Sequence, residues 1–400
     1  MIKCKNSPRA FIEDDLRENA SIVVFSDDWG RHPSSCQHLV GQLLSRREIL
    51  WVNTIGTRPP RFDQATLTRL LGKIRSWSMT ERPTAGPAPG PRVCDPKMWP
   101  WFRSGWDRRL NAALLGRQLE PLVAELPRPR VVVTSVPLVA DLIDRLPVDR
   151  WVYYCVDDLS SWPGADAGPL RRMERELLQK ADATIVVSEA LRVALRGIGP
   201  PPTLLTHGVD LERWQGGTDG DPLHELDGLE RPLITFWGLV DRRLDLRVLE
   251  RLAADLEAGT ILLVGPESDP DPSLAAIARL VRIPALPFTR LPALAHASGV
   301  LIMPYADLPV TRAMQPLKLK EYLASGRPAV VSDLAANREW SDALDLAATP
   351  AAFSAAVRLR LSTGLTVSQA LARSRLVGEG WENKAREFER LVLEGLEEVR

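Results

Sequence analysis

Short apolar runs alternate along the chain with longer segments in which apolar residues recur every three or four positions. A short uninterrupted apolar run is typical of a strand buried on both faces, whereas the longer spacing is typical of a helix. The pattern predicts two successive series of strands joined by helices. The predicted strands are 21–25, 49–53, 131–134, 151–156 and 183–187, followed by 233–237, 260–264, 300–303 and 328–331.

Helices are predicted between the strands of both series. In the first series they span 34–44, 64–77, 108–125 and 170–181. Parallel strands joined by helices form a doubly wound sheet, so two series predict two Rossmann-like domains with a cleft between them. A chain of 400 residues is also longer than one hydrophobic core usually organises. The segment 215–229 is rich in Gly, Asp and Pro and predicts a linker, which gives domains at 1–212 and 213–380.

Composition and charge narrow the class of protein. Apolar residues make up 45% of the chain, as is typical of a compact globular protein. The formal net charge is zero, and residues 1–210 carry 29 basic and 24 acidic side chains, a balance that disfavours nucleic acid as the main partner. The cysteines show no spacing typical of pairing, and neither a signal peptide nor a spanning apolar run is recognised. We therefore expect a cytoplasmic chain, soluble or peripheral to the inner face of the cell membrane.

The segment 304–331 combines cations, a carboxylate and a helix start between two predicted strands. Pro316 suits the first turn of a helix, because its missing N–H would have no intrahelical partner there. The start of such a helix attracts phosphate through unpaired N–H groups and the positive end of the helix dipole, with Lys318 and Lys320 close by. The carboxylate of Glu321 could accept hydrogen bonds from ribose hydroxyls. The segment therefore predicts a site for a nucleoside diphosphate.

The spacing alone is equally consistent with a solvated helix in which Lys318 and Glu321 form an ion pair. However, the motif at 316–331, P-x-K-x-x-E-Y-L-A-x-G-x-P-x-V-V, resembles the donor-binding signature of retaining, family-4-type glycosyltransferases. The resemblance implies the α/β GT-B fold, with two Rossmann-like parallel-sheet domains, Lys318 at the donor diphosphate and Glu321 at the nucleotide ribose. The form PLKLKEY is similar to that of bacterial exopolysaccharide and teichuronic-acid-type transferases.

One position departs from the family pattern. Family members commonly have a further Glu, in contact with the donor sugar, where this chain has Ala313. Either other groups between Thr311 and Gln315 hold the sugar, or catalysis is impaired. The resemblance also implies donor contacts from the backbone of Gln315, Pro316 and Leu317.

Three glycines follow predicted strands and are expected at the donor. By resemblance, the loop that contains Gly30 lies close to the donor phosphates, although Ser34 or Ser35 in the same segment could simply cap a helix. Gly238 ends the first strand of the second domain. Gly265 would let the backbone approach the nucleotide base, because glycine has no side chain in the way.

Charged residues in two further loops have candidate roles. By resemblance, Arg242 or Arg243 neutralises the leaving diphosphate, and Asp241 beside them is also a candidate helix cap. Asp158 is a candidate acceptor-site or catalytic carboxylate, although turn formation and metal binding are open alternatives. The pair Asp269 and Asp271 has the D-x-D spacing of a metal motif, but its surroundings are typical of a polar turn, so no required metal is expected.

A membrane contact is a separate possibility for the segment 99–109. It mixes aromatic and basic residues, a composition that suits the bilayer interface, although ordinary core packing would also explain the tryptophans. The residues concerned are Trp99, Trp101, Phe102, Arg103, Trp106, Arg108 and Arg109.

Together these features predict a retaining glycosyltransferase that moves a sugar from a UDP- or GDP-sugar to a lipid-linked or saccharide acceptor in bacterial surface polysaccharide biosynthesis. Lys318, Arg243 and Asp158 are the predicted catalytic residues, no cofactor is expected, and the resemblance assigns 381–400 to the first domain. Two other classes remain open. A nucleotide-sugar epimerase shares the fold, and Ala313 favours a catalytically impaired nucleotide-binding or scaffold protein.

Overall fold

The computed structural model describes residues 19–31, 34–54, 90–162, 164–216 and 223–396. The predicted helix at 64–77 lies outside these residues. The described residues form two compact units. The first unit contains the residues up to Val187, Leu191–Leu205 and those from Ala385 onwards, and the second contains Ser188–Ala190 and Thr206–Lys384.

The first unit is built around a seven-stranded parallel sheet in the order β3-β2-β1-β4-β5-β6-β7. Its interior strand β1 is buried along its whole length, as expected of a parallel strand with both faces covered. The strands are β1 Ser21–Ser26, β2 Ile49–Asn53, β3 Arg92–Cys94, β4 Arg130–Thr134, β5 Arg150–Cys155, β6 Ala183–Val186 and β7 Thr203–Leu204. The helices are α1 Ser35–Gly41, α2 Gly105–Ala124, α3 Ala167–Lys180 and α4 Glu189–Leu195.

The second unit is built around a six-stranded parallel sheet in the order β10-β9-β8-β11-β12-β13. The strands are β8 Leu233–Trp237, β9 Thr260–Val264, β10 Leu280–Ile283, β11 Val300–Met303, β12 Ala329–Ser332 and β13 Asp345–Ala347. The helices are α5 Leu211–Gln215, α6 Leu246–Asp255, α7 Leu291–Ala297, α8 Pro309–Ala313, α9 Leu317–Ala324, α10 Pro350–Thr363 and α11 Val367–Ala372.

In each sheet the first strand of the series lies in the interior, and the chain extends the sheet first on one side of it and then on the other. In the second unit β8 lies between β9 and β11. The connections that leave β8 and β11 therefore diverge and leave a crevice beyond their carboxyl ends, which is where open α/β sheets bind ligands. The residues that follow Trp237 and Met303 border this crevice.

The predicted strands are all present in the structure, and four further strands were not predicted. These are β3, β7, β10 and β13, and each of them is an edge strand of its sheet. An edge strand is covered on fewer sides than a central one, so its burial does not require a continuous apolar run. The strands here are short, and β3 and β10 have no fully buried residue.

The last helix, α12, spans Trp381–Leu393. From Ala385 onwards it belongs to the first unit. There Phe388 packs edge-on against Tyr154 of β5 at 5.3 Å between ring centroids, and Glu389 accepts a hydrogen bond of 2.7 Å from Arg47. An aromatic contact and an ion pair thus attach this end of the helix to the sheet of the first unit.

Within the described ranges, no helix combines the length and the apolar content that crossing a bilayer would require. The thiols of Cys36, Cys94 and Cys155 are free, which agrees with the prediction of reduced cysteines for these three residues.

Candidate functional site

The crevice beyond β8 begins at Gly238, which adopts a φ of +133°. A Cβ atom at this position would lie 2.3 Å from Nζ of Lys318. A larger residue would therefore be strained in its backbone and would collide with the ammonium group. The positive φ favours glycine at position 238, and the absence of a side chain leaves the space that the Lys318 ammonium occupies.

The Lys318 ammonium is held by aromatic side chains from two strand ends. It donates a hydrogen bond of 2.7 Å to the hydroxyl of Tyr305 and lies 4.5 Å from the ring centroid of Phe236 and 5.2 Å from that of Tyr305. Aromatic faces attract a cation without neutralising it as a carboxylate would. The ammonium is therefore positioned beside the crevice and keeps its charge available for an anion.

The helix that carries Lys318, α9, starts at Leu317, which is one residue later than predicted. Pro316 therefore lies just before the helix. In the described part of the chain, the N–H groups of Gln315, Leu317 and Lys318 have no hydrogen-bond acceptor. Free N–H groups at a helix start attract anions through their hydrogen atoms and through the helix dipole. Three backbone donors and the residue that carries the ammonium group thus lie at the start of α9.

Glu321 lies one turn further along α9. One of its carboxyl oxygens, Oε2, accepts a hydrogen bond of 3.1 Å from the indole N–H of Trp237 at the end of β8. Burial of the carboxyl group raises the pKa of Glu321 to about 7, while the Trp237 N–H and the charge of Lys318 act to lower it. Lys318 and Glu321 therefore have separate partners, in contrast to the alternative of a simple ion pair.

Lys320 lies on the opposite face of the helix and is 2% exposed. Its ammonium pairs with Glu379, donates to the carbonyl of His207 and donates to Thr206 Oγ1 at 3.2 Å. Desolvation lowers the pKa of Lys320, against the opposing effect of Glu379. The suggestion that Lys320 supplies a second charge for phosphate is therefore wrong, because its ammonium is engaged in the interior of the unit.

Both predicted arginines have carboxylate partners. The guanidinium of Arg243 is buried, forms an ion pair of 3.0 Å with Asp241 and lies 5.5 Å from the ring centroid of Tyr305. Arg242 is paired with Asp269 at 3.2 Å and lies 3.7 Å from Asp271. Asp241 does not cap a helix as predicted, because α6 begins later and is capped by Asp245. The roles of both arginines at the diphosphate remain predictions.

The side chains around Ala313 are already used within the second unit. The Thr311 hydroxyl donates to the carbonyl of Ala306, and Gln315 Oε1 accepts a hydrogen bond of 2.6 Å from the N–H of His207. The Ser188 hydroxyl donates to the carbonyl of Ala313 itself. The Thr311 hydroxyl and the side-chain oxygen of Gln315 are therefore engaged within the second unit.

Gly265 follows β9 and has a structural function of its own. A Cβ atom there would lie 1.9 Å from the carbonyl oxygen of Gly238, and the φ of Gly265 is +155°. Two loops thus pass each other at backbone contact, and this close approach requires glycine. The predicted contact between Gly265 and a nucleotide base remains a prediction.

The remaining predicted residues lie in the first unit. Gly30, with a φ of +78°, donates its N–H to Gln37 Oε1 at 3.0 Å. Asp158 accepts hydrogen bonds from the Ser160 N–H at 3.1 Å and from the hydroxyls of Ser160 and Ser161. In this structure both residues organise local turns, as the alternative interpretation of Asp158 describes, and their roles toward a substrate remain predictions.

The residues that position the two charged groups of α9 were not predicted from the sequence. Tyr305, Phe236 and Trp237 lie at strand ends, where aromatic residues are usually assigned to the core. The only signal in the sequence was their place at the carboxyl ends of predicted strands. Within the described ranges, no group of three or more His, Cys, Asp or Glu side chains could hold a metal ion.

The raised pKa of Glu321 predicts a pH-dependent cost in stability. In the unfolded chain the carboxyl group loses its proton near its ordinary value of 4.5, but in the folded chain only near about 7. The folded state therefore binds more protons between these values, and its stability falls as the pH rises. Glu321→Gln, which does not titrate, should gain on the order of 1 to 3 kcal/mol relative to wild type between about pH 5 and about pH 8.

Urea unfolding of the nucleotide-free protein at both pH values measures this difference. The exposed Glu250→Gln on α6 is the matched control. A stability difference between Glu321→Gln and wild type that does not change with pH would contradict the prediction.

No family model matches the chain. Among curated proteins it is similar to TuaH of Bacillus subtilis strain 168, whose name assigns it provisionally as a teichuronic acid biosynthesis glycosyltransferase. The two are 28% identical over 347 residues, which cover 78% of this chain and 80% of TuaH.

Solved structures share the architecture over nearly the full length of the chain. Sucrose-phosphate synthase from Thermosynechococcus elongatus matches with a TM-score of 0.68 at 16% identity, over 93% of this chain and 98% of that one. HepE from Anabaena in complex with UDP matches with a TM-score of 0.63 at 13% identity, over 92% and 98%. The fold is therefore GT-B, and over most of its length the chain is similar in sequence to a protein that is named as a glycosyltransferase.

Proposed function

We propose that the chain transfers a sugar from a nucleoside diphosphate sugar, with UDP or GDP as the nucleotide, to a saccharide or lipid-linked acceptor, and that it retains the anomeric configuration. The second unit binds the donor and the first unit binds the acceptor. The pathway is the biosynthesis of a bacterial surface or extracellular polysaccharide. The name of TuaH supports this pathway for a relative, and the UDP complex of HepE supports the nucleotide for a protein of the same fold.

One observation carries the proposal. At the crevice of the second sheet, the Lys318 ammonium and three backbone N–H groups without acceptors lie at the start of α9, and the Glu321 carboxyl group lies one turn further on. The first set of groups suits the two phosphates of a nucleoside diphosphate, and the carboxyl group suits vicinal ribose hydroxyls.

The chemistry follows from where charge develops. As the bond between the sugar C1 and the diphosphate oxygen breaks, negative charge grows on the leaving diphosphate. In this proposal Lys318 and the N–H groups of Gln315 and Leu317, which lie at the start of α9, stabilise the negative charge that develops in the transition state. The new bond forms between C1 and the acceptor oxygen, whose proton passes to the departing phosphate. This route needs no covalent nucleophile on the protein.

The sugar itself must be bound without the second Glu of the family. Ala313 offers no side-chain acceptor, and the polar side chains on either side of it are bonded within the unit. We assign the sugar hydroxyls to the side-chain amide nitrogen of Gln315, which takes no part in the hydrogen bond between Gln315 Oε1 and His207. Because this change also favours a protein that binds nucleotide without turnover, release of UDP or GDP from the donor sugar is the assay that separates the two functions.

The donor site predicts the effect of two substitutions. Lys318→Ala and Glu321→Ala should each weaken UDP or GDP binding by about tenfold or more, because each removes a charge-assisted contact. Isothermal titration calorimetry measures the affinity, and thermal unfolding verifies the fold. Lys180→Ala, on the surface of α3, is the control and should bind like wild type. Wild-type affinity in both site variants would remove the donor assignment.

We also propose that transfer needs no metal ion. The two carboxylates of the D-x-D motif lie beside the guanidinium of Arg242, which occupies the position of a counter-charge. Release of UDP or GDP from the donor should therefore be unchanged in excess chelator. Loss of activity that manganese or magnesium restores would contradict this expectation.

Peripheral contact with an anionic membrane is the last part of the proposal. Arg108 cannot contribute to it, because this residue is paired with both Asp141 and Glu176. Trp106 is 61% exposed, and Arg109, about one turn further along α2, is also exposed. A large exposed aromatic side chain beside a cation is a composition that binds at the bilayer interface.

Flotation with vesicles that contain anionic lipid tests this contact. Trp106→Ser combined with Arg109→Ala should reduce the bound fraction several-fold, since each basic residue contributes about 1 kcal/mol near such a surface. Leu371→Ser with Arg358→Ala, which removes an exposed apolar side chain and a cation from the second unit, is the matched control. Equal flotation of wild type and the Trp106 variant would rule out the contact.

A further inference from the structure

Trp237 is the last residue of β8 and is held rigidly by two other aromatic rings. Its indole stacks on Trp214 with ring centroids 5.4 Å apart and planes 7° apart. It also meets Tyr322 edge-on at 4.4 Å between centroids. With 4% of its surface exposed, Trp237 is fixed in both position and orientation. Such packing would be ordinary for a core residue, except for where the indole N–H points.

That N–H donates to Glu321 Oε2 at 3.1 Å. An indole N–H can only donate, so the bond favours the Glu321 oxygen as an acceptor. The bond occupies one oxygen from the β8 side and orients the carboxyl group. Because a carboxylate has about four acceptor positions, Glu321 keeps capacity for two further hydroxyl groups. The geometry therefore prepares the carboxyl group for a ligand with two neighbouring donors.

The charged groups around Glu321 are few. On its own helix the nearest is Lys318, whose ammonium is bonded to Tyr305. On α5, Arg213 is paired with Asp210 at 3.0 Å. Glu212 of α5 is the other charged side chain of that helix.

Like α5, the turn 373–379 packs against α9. Its charged side chains have partners other than Glu321. Glu379 is paired with Lys320 on the far side of the helix, Arg375 with Asp342 at 2.7 Å, and the Arg373 guanidinium donates to backbone carbonyls. The Trp237 N–H and the Lys318 ammonium are therefore the groups that act on the protonation of Glu321.

We propose that Trp237 is a positioning residue for the nucleotide-binding carboxyl group. Its indole N–H orients Glu321 and favours the ionised form, which accepts hydrogen bonds from both hydroxyls of the nucleotide ribose. Nucleotide affinity therefore rises with the ionisation of Glu321, and Trp237 sets the pH at which this happens. The inference rests on the proposed function, because it takes Glu321 to be the ribose ligand.

Two opposing effects set the pKa of the Glu321 carboxyl group. Burial raises the pKa of Glu321 to about 7, and the hydrogen bond from Trp237 opposes this rise. Without the N–H, the carboxyl group would remain protonated to a higher pH. A protonated carboxyl group has fewer acceptor positions and adds a donor, so it fits two hydroxyl donors poorly.

Trp237→Phe removes the N–H and retains an aromatic ring. UDP affinity is measured by titration calorimetry between about pH 6 and about pH 9, and the ratio of the variant Kd to the wild-type Kd cancels the ionisation of UDP itself. The Kd should be about tenfold higher than wild type near neutral pH, and the deficit should shrink at the alkaline end as Glu321 ionises. Trp237→Leu, which also lacks the donor, serves as a second variant if the phenylalanine variant does not fold.

Trp214→Phe is the matched control, because it alters the same aromatic stack and leaves the bond between Trp237 and Glu321 in place. The ratio of its Kd for UDP to the wild-type Kd should not vary with pH. In a Glu321→Gln background, which cannot ionise, Trp237→Phe should likewise produce a ratio that is independent of pH.

The outcomes separate this inference from the function on which it rests. If wild type binds UDP and the Trp237→Phe ratio is flat across the pH range, the positioning role of Trp237 is wrong and the donor site stands. If wild type binds neither UDP nor GDP at any pH, the proposed function fails. A pH-dependent ratio for Trp214→Phe would assign the effect to aromatic packing and would also overturn the inference.

Discussion

The contact between the Lys318 ammonium, two aromatic rings and a glycine is the constraint on which the candidate site depends. Phe236 and Tyr305 stand at the ends of neighbouring strands and hold the charge from two sides. Gly238 leaves the space in which the charge lies. Since the cation is attracted by ring faces and a hydroxyl, its charge is not cancelled by a carboxylate. The sheet topology then matters, because only at the divergence of β8 and β11 do these strand ends border a crevice.

The helix α9 carries two kinds of charged residue with different functions. Lys318 and Glu321 border the crevice and have neutral partners, whereas Lys320 is buried with Glu379 and two neighbours from the segment 206–207. Removing one partner of a buried ion pair leaves an uncompensated charge, which usually costs several kcal/mol of stability. A short motif with two lysines therefore combines a candidate ligand-binding group and a structural group, and spacing alone does not tell them apart.

Much of the fold could be predicted from the sequence. All nine predicted strands are present, because central parallel strands must be apolar on both faces and so produce continuous runs. The four edge strands were missed, since partial exposure removes that requirement. The alternation of strands and helices predicted two doubly wound sheets, and the structural relatives confirm the GT-B fold.

Less of the site could be predicted, for a physical reason. The motif located Lys318 and Glu321, but it could not show which side chains surround them, because those neighbours are distant in sequence. Trp237 lies 84 positions before Glu321 and yet donates to its carboxyl group. Asp is likewise a residue type that often caps helices, but the Asp241 carboxylate instead accepts a hydrogen bond from Arg243, two residues away. Which partner a side chain binds depends on the residues that the fold brings close to it. The local sequence pattern does not contain this information.

The contact of Gly265 with the carbonyl oxygen of Gly238 has a consequence for how this kind of enzyme can diversify. A Cβ atom on Gly265 would lie 1.9 Å from the Gly238 carbonyl oxygen, so any other residue at Gly265 would require the backbone to move. If the crevice binds a nucleotide as proposed, changes in nucleotide preference are therefore expected from side chains other than these two glycines. A mutational library aimed at a different donor should hold both positions constant and vary the residues that follow them.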